Sequence, residues 1–248
     1  APAGFGRRHV APLIPKFYEL HPEVTVSLNL SDRVVDIAGE GFDCAVRVGD
    51  MPDSSLVSVR MADNRRLCVA TPTYLARHGT PQTPAELSRF HCLTLSSDAS
   101  QTRGWAFKMP ASNKAAALSK DGRDAAGKAG VVPGDAVAQA VTSAEGAGSR
   151  GGEVVYLKPG GPLDCSDGHV LLDWFLAGYG IAWRSTWEVE AEIASDLLVA
   201  VLEAYAAPPN GIYAVFPQRK HLPLRVRLWI EYLKDHFGSA AFRQGRPV

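Results

Sequence analysis

The chain has 248 residues, of which 46% are hydrophobic, enough for one large domain or two small ones with an ordinary core. Lys plus Arg and Asp plus Glu are both 26, so no net charge draws the chain to nucleic acid or a membrane surface. No stretch has the length and apolarity of a membrane span or a signal peptide, and the start at Ala1 without Met suggests a piece of a longer protein, or a matured one.

Residues 1–22 predict a glycine-containing turn followed by a helix. Val10, Leu13, Ile14 and Phe17 form its apolar stripe, Pro12 and Pro15 lie near its start or a kink, and His21-Pro22 ends it. Two readings stand for Gly4 and Gly6. They permit a tight turn, or they leave free amides near Gly4 and Phe5 as an anion site, worth about 0.3–1 kcal/mol per favourable charge.

Residues 23–50 organise the rest. Val24, Val26, Leu28 and Leu30 alternate as in a strand, Ser31 and Asp32 offer oxygens to a helix start, and Val34, Ile37 and Ala38 share a helical face. Gly39 and Gly41 stop that helix, and Phe42, Cys44, Val46 and Val48 resume a strand closed by Gly49. Strand, helix and strand predict a parallel βαβ unit with a ligand beyond the strand ends, beside Ser31, Asp32, Arg47 and Gly49. The plainer reading of Ser31 is a cap, and of Arg47 a solvated strand residue.

Strands are predicted at 56–61 and 67–70. Thr71-Pro72 starts a helix that Gly79 stops, and Thr83-Pro84 with Glu86 repeats the device as a capping box. Strands follow at 92–95 and 105–107. Residues 111–150 are rich in Ala, Gly, Ser and Lys and read as a low-complexity insertion at a hairpin tip, with one weak helix at 135–144. The partner strand of the hairpin is 154–157.

Residues 163–183 repeat the logic of 23–50: a short strand, Ser166-Asp167 as cap, a helix with Val170, Leu171, Trp174 and Phe175 on its apolar side, Gly178 and Gly180, then a buried strand ending at Trp183. A helix at 187–193, strands at 197–202 and 212–216 and a helix at 223–237 with Leu224, Leu228, Ile230 and Leu233 complete the chain; the tail after Gly238 is expected to fray.

Cys44, Cys68, Cys92 and Cys165 form no CxxC pair, and the seven histidines show no metal-ligand spacing. Buried inert thiols are the plain reading of the cysteines, with Cys92 and Cys165 as a redox pair the other. Asp36, Asp43, Asp167 and His169 are the groups available to an enzyme, but no catalytic constellation or phosphate loop is visible, His169 reads as a helix-start residue, and no cofactor is called for.

Taken in order, APAGFGRRHVAPLIPKF, LSDRVVDIAGEGFDCAVRVG, LCVATPTYLARHGTP, LDCSDG with GYGIAW, and IYAVFPQRKHLPLRVRLWIEYL resemble the effector-binding domain of LysR-type transcriptional regulators. The resemblance covers nearly everything outside 111–150. It implies an α/β, type-2 periplasmic-binding-protein-like fold: two α/β lobes, joined by two crossover strands, with a small-molecule cleft between them. Lobe one would be 1–70 plus 214–248 and lobe two 71–213. By position, Ala3, Gly4, Phe5, Ser31, Val48 and Gly49 match the pocket wall of lobe one, and Thr94, Asp167, Gly168 and Trp183 that of lobe two. Arg47 is added from its charge and place.

Members of this family also carry an N-terminal winged helix-turn-helix, which this sequence does not include, so DNA is expected as a partner only through that domain. They act in the cytoplasm as homodimers or homotetramers, pairing helices that would here be about 6–20 and 169–177. The expected partner is a small-molecule effector, with a carboxylate suggested by helix starts and Arg47, and apolar surface by Phe5 and Trp183. Effector binding would favour one pose of the lobes. A secreted solute-binding protein of the same fold, serving a transporter, is the alternative.

Overall fold

The structure is a computed structural model that describes residues 1–33, 35–49, 56–96, 104–110, 153–218, 222–239 and 242. The expected insertion at 111–150 with its weak helix at 135–144, and most of the tail after Gly238, lie outside the described residues.

The chain opens as helix α1, Ala3–Phe5, which runs through a π-helical turn at Gly6–Val10 into α2, Leu13–Leu20. Pro12 and Pro15 have no N–H to continue an α-ladder, and the wider turn absorbs the break, with the Ala11 amide donating to Gly6 O at 2.7 Å. Val10, Leu13 and Phe17 of the predicted stripe are buried, together with Phe5, whereas Ile14 is half-buried.

Three strands form the first sheet. β1 (Ala45–Gly49) and β2 (Leu56–Asn64) flank β10 (Asn210–Pro217), and both pairings are antiparallel. Helix α6, Leu224–Phe237, covers this sheet through Val226, Ile230, Leu233 and Phe237. Leu224, expected on the buried side, is exposed.

The parallel βαβ unit expected from 23–50 is not formed. Residues 23–30 lie outside both sheets among the described residues, and 37–41 make one turn, with the Gly39 amide donating to Asp36 Oδ1 at 3.1 Å and the Glu40 amide to Asp36 O at 2.9 Å. Val34 lies outside the described residues. Among the described residues β1 is therefore paired only with β10, and Val26 and Leu28 stay exposed although they alternate like strand residues.

The second sheet has five strands in the order β7 (Asp164–Cys165), β4 (Cys92–Leu95), β8 (Ile181–Ser185), β3 (Arg66–Ala70), β9 (Val199–Val201). The first three are mutually parallel; β3 runs antiparallel to β8 and β9. Side chains alternate between its two faces, as strand geometry requires. Cys68 and Ala70 join the core under α3 (Pro72–His78) and the 3-10 turn Pro84–Arg89, whereas Leu67 and Val69 join the core under α4 (Gly168–Leu176) and α5 (Thr186–Ala194).

The expected caps appear at α3, where Thr71 Oγ1 accepts from the Tyr74 amide at 3.2 Å, and at α4, where Asp167 accepts from two amides. β7, α4 and β8 make the parallel crossover expected from 163–183, with β4 between the two strands. β5 (Trp105–Lys108) and β6 (Val154–Leu157) pair as the expected antiparallel hairpin.

The chain passes from the first sheet to the second at Arg65 and returns between β9 and β10. These two passages are tied by a hydrogen bond of 2.7 Å from Asn64 Nδ2 to Asn210 Oδ1.

Candidate ligand-binding site

A cavity of about 610 Å³ opens between the first-sheet elements and the start of α4, within the size range of small-molecule sites. Gly4, Phe5, Ser31, Arg47, Val48, Gly168 and Trp183 all line it, so seven residues singled out from sequence are brought together. Their local roles differ. Ser31 donates its amide to Ala1 O at 3.0 Å and accepts on Oγ from the Arg33 amide at 3.2 Å. Arg47 Nη2 donates to Val35 O at 3.2 Å, which fastens the unpaired stretch to β1. Phe5 is fully buried, with the Trp187 ring edge-on at 5.2 Å. Trp187 belongs to α5, so this contact joins the two halves.

The other four predicted residues lie elsewhere. Ala3 is not part of the cavity wall and donates its amide to Asp32, which is. Gly49 ends β1 opposite Gly211, with φ +112, a backbone geometry that favours glycine. Thr94 lines a second cavity. Asp167 turns back on its own helix, accepting from the His169 and Val170 amides at 2.7 and 3.1 Å, and these bonds hold its carboxyl below the usual range.

Asp32, expected to cap a helix of its own, bridges the two halves: Oδ1 accepts from the Ala3 amide at 2.7 Å and Oδ2 from the Gly168 amide at 3.5 Å. It fills the anion site that the opening amides and the start of α4 create. A Cβ at Gly168 would crowd Arg184 Nη2 at 3.0 Å and meet Asp32 Oδ2 only at ordinary contact distance, 3.8 Å.

Arg184 and Glu188 were also missed. Both are 8% exposed, and they pair through Nε to Oε2 at 2.8 Å and a second bond from Nη2 to Oε1. Arg184 Nη2 also donates to Gly168 O at 3.4 Å. A buried charge persists only when paired in this way. The signal was present: an arginine inside the apolar run of β8, with an acid four residues on. Arg66 is the third. Its guanidinium lies 4.7 Å over the Trp183 ring, and Trp183 stacks on Trp105 at 6.3 Å with the planes 19° apart.

Burial pushes the thiols of Cys44 up to about 11 and of Cys92 up to about 12, and raises Cys68 well above its ordinary value. Thiolate chemistry at neutral pH is suppressed at all three. Cys165 lies opposite Leu95 in the β7–β4 register, away from Cys92. Among the described residues no group of three or more His, Cys, Asp or Glu side chains is arranged for a metal ion, and no helix is long and apolar enough to cross a membrane.

Residues 1–116 and 150–238 match the LysR substrate binding domain family. The chain is 30% identical over 236 residues to the HTH-type transcriptional regulator DmlR of Escherichia coli K12, covering 95% of this chain and 63% of that protein. It is 28% identical to the HTH-type transcriptional activator TtdR of the same strain, covering 93% of this chain and 61% of that protein. The chain thus spans less than two thirds of the length of either relative. Its fold is similar to the regulatory domain of CrgA, a LysR-type transcriptional regulator from Neisseria meningitidis, with TM-score 0.66, 25% identity and 96% of both chains covered. The alternating sheets, the paired crossings and the cavity between them are those of a type-2 periplasmic-binding-protein-like fold, and this chain belongs to the LysR substrate-binding domain family as a ligand-sensing regulatory domain.

Proposed function

We propose that this domain binds a small organic acid between its lobes and passes the event to DNA through an attached helix-turn-helix, within a cytoplasmic homodimer or homotetramer. The observation that supports this best is Asp32, whose carboxylate spans the Ala3 amide of one lobe and the Gly168 amide of the other beside an open cavity. A contact of that kind makes the pose of the lobes sensitive to what enters the cleft, because a ligand shifts a two-state equilibrium only through contacts that differ between the states. Gly4, Phe5, Ser31, Arg47, Val48, Gly168 and Trp183 form the proposed wall, with Ala3, Gly49, Thr94 and Asp167 as its supports. The proposed lobes are 1–70 plus 214–248 and 71–213, a division supported by the chain's passing between the two sheets at Arg65 and again between β9 and β10.

For assembly, α2 presents exposed Tyr18 and Leu20, and α4 presents exposed Val170 with Tyr179 just beyond it, on the two helices expected to pair between copies. The regulators among its relatives favour this reading over a transporter's solute-binding protein, and over catalysis. A melting-shift screen of this chain against a broad library of small organic acids tests the proposal: stabilisation by at least one compound, confirmed by calorimetry, is expected. Silence across the library overturns it.

A further inference from the structure

We propose that the main cavity has a hydrocarbon branch inside lobe one, which takes the apolar tail of a medium-length carboxylic acid while the carboxylate stays toward Arg47. The proposal rests on the effector-binding reading above and adds what kind of acid the cleft selects.

The first support is where the cavity reaches. Val10, Val46 and Val226 belong to the core under α6, and all three line the cavity. Phe17 and Ile37, 0% and 1% exposed, line it too, and Phe17 packs against the Trp229 ring at 4.9 Å. These side chains come from the opening helices, the 37–41 turn, β1 and α6. This part of the wall is built within one lobe, whereas Gly168 and Trp183 reach the cavity from the other.

The second support is uncovered apolar surface. Val26 and Leu28 line the same cavity and are 37% and 39% exposed. A hydrocarbon tail in the branch covers them, and removal of apolar surface from water is the gain available there.

The third support is size and charge. A cavity of about 610 Å³ suits a drug-sized ligand, and an acid as short as acetate leaves most of it to water. Charged residues of the lining have partners of opposite sign: Arg33 has Glu40 at 3.0 Å, Arg225 has Asp43 at 3.5 Å and Arg184 has Glu188 at 2.8 Å. A charge carried down to Phe17 and Ile37 loses its water against hydrocarbon, so the branch favours an uncharged tail. Arg47 Nη2 donates to Val35 O at 3.2 Å, and a guanidinium carries several further N–H groups that can meet a carboxylate.

The test is a series of acids with one head and a growing tail: butanoate, hexanoate and octanoate, titrated into this chain by calorimetry. Affinity is expected to rise about three- to fourfold per added methylene, which corresponds to about 0.8 kcal/mol for each buried CH₂. Octanedioate, with a second carboxylate at the far end, is expected to bind at least tenfold more weakly than octanoate. In NMR spectra octanoate is expected to move the indole N–H of Trp229, which lines the cavity, and to leave that of Trp105, which does not. Leu28→Asp and Val26→Asp, each at an exposed position, are expected to flatten the rise with tail length. Arg47→Gln is expected to weaken every acid by a similar factor and keep the rise.

A flat series with measurable binding overturns the tail branch and leaves the effector reading standing. Equal affinity for octanoate and octanedioate overturns it, as does a rise that survives both aspartate variants, or movement of Trp105 with Trp229 still. Affinities untouched by Arg47→Gln overturn the placement of the head. Silence of all three acids overturns the proposal as well, and the library screen then decides the effector reading separately.

Discussion

Ser31-Asp32 and Ser166-Asp167 are the same dipeptide in similar settings, each with apolar residues before it and a glycine-punctuated run after it. Downstream of Asp167 a nine-residue helix forms and returns to a parallel strand. Downstream of Asp32 the described residues make one turn at 37–41 and no parallel pairing. The difference lies in what each run can bury. α4 places Leu171 and Phe175 in the core, and packing of this kind supplies most of the stability of a short helix. Between 33 and 41 only Ile37 is buried among the described residues, two β-branched valines stand together, and two glycines follow within seven residues. With no helix to cap locally, Asp32 finds amides from distant segments. A cap signal states that a side chain will accept from free amides; packing decides whose amides they are.

The comparison can be broken most forcefully at the buried anchor of α4. Phe175→Ala is expected to cost about 3–5 kcal/mol in urea unfolding, whereas Val35→Ala, in the run without a helix, costs less than about 1 kcal/mol. Similar losses at both sites would remove the packing explanation. Arg184→Met leaves Glu188 buried without its partner and is expected to cost about 3–5 kcal/mol, with much of it recovered in the Arg184→Met/Glu188→Leu double variant.

Asp167→Ala should cost about 1 kcal/mol, the typical value for a lost cap. Its pH dependence sharpens the case. The folded carboxyl sits below its usual 3.8, so its contribution is present above that pH and fades as the solution is acidified through the lower folded value. Melting curves of Asp167→Ala and the parent are thus expected to differ at pH 7 and converge in strong acid.

Asp32→Asn should change stability least, within about 0.5 kcal/mol, because the side-chain amide keeps an oxygen that can still accept from the Ala3 amide. Its effect belongs to the cleft. Removing the charge opens the corner to outside anions, so acetate is expected to shift the Trp187 indole signal in Asp32→Asn and not in the parent.

Much of the architecture was legible from short-range signals. The strands around Cys68, Leu93, Phe107 and Val155, the Thr71 and Asp167 caps and the hairpin all rest on contacts that a local pattern encodes. The illegible parts depend on distance along the chain. Asp32 meets Gly168 across 136 residues, and nothing local distinguishes that from a cap. Arg66 and Trp183 meet because β3 lies beside β8 in the second sheet. The buried Arg184–Glu188 pair was locally encoded and was overlooked because its strand reads as apolar. At α6 Val226 and Phe237 join Ile230 and Leu233 in the core, and Leu224 at the first position of the helix stays outside.

The amide link between Asn64 and Asn210 bears on how such a domain can move. It fastens the two passages side by side where one leaves the first sheet and the other enters it. Such a tie would resist twisting and sliding of the halves and leave opening about one axis. On the proposed reading, what a metabolite contributes on entering would go into that one angular coordinate, for a partner on the far surface to read as a change of direction.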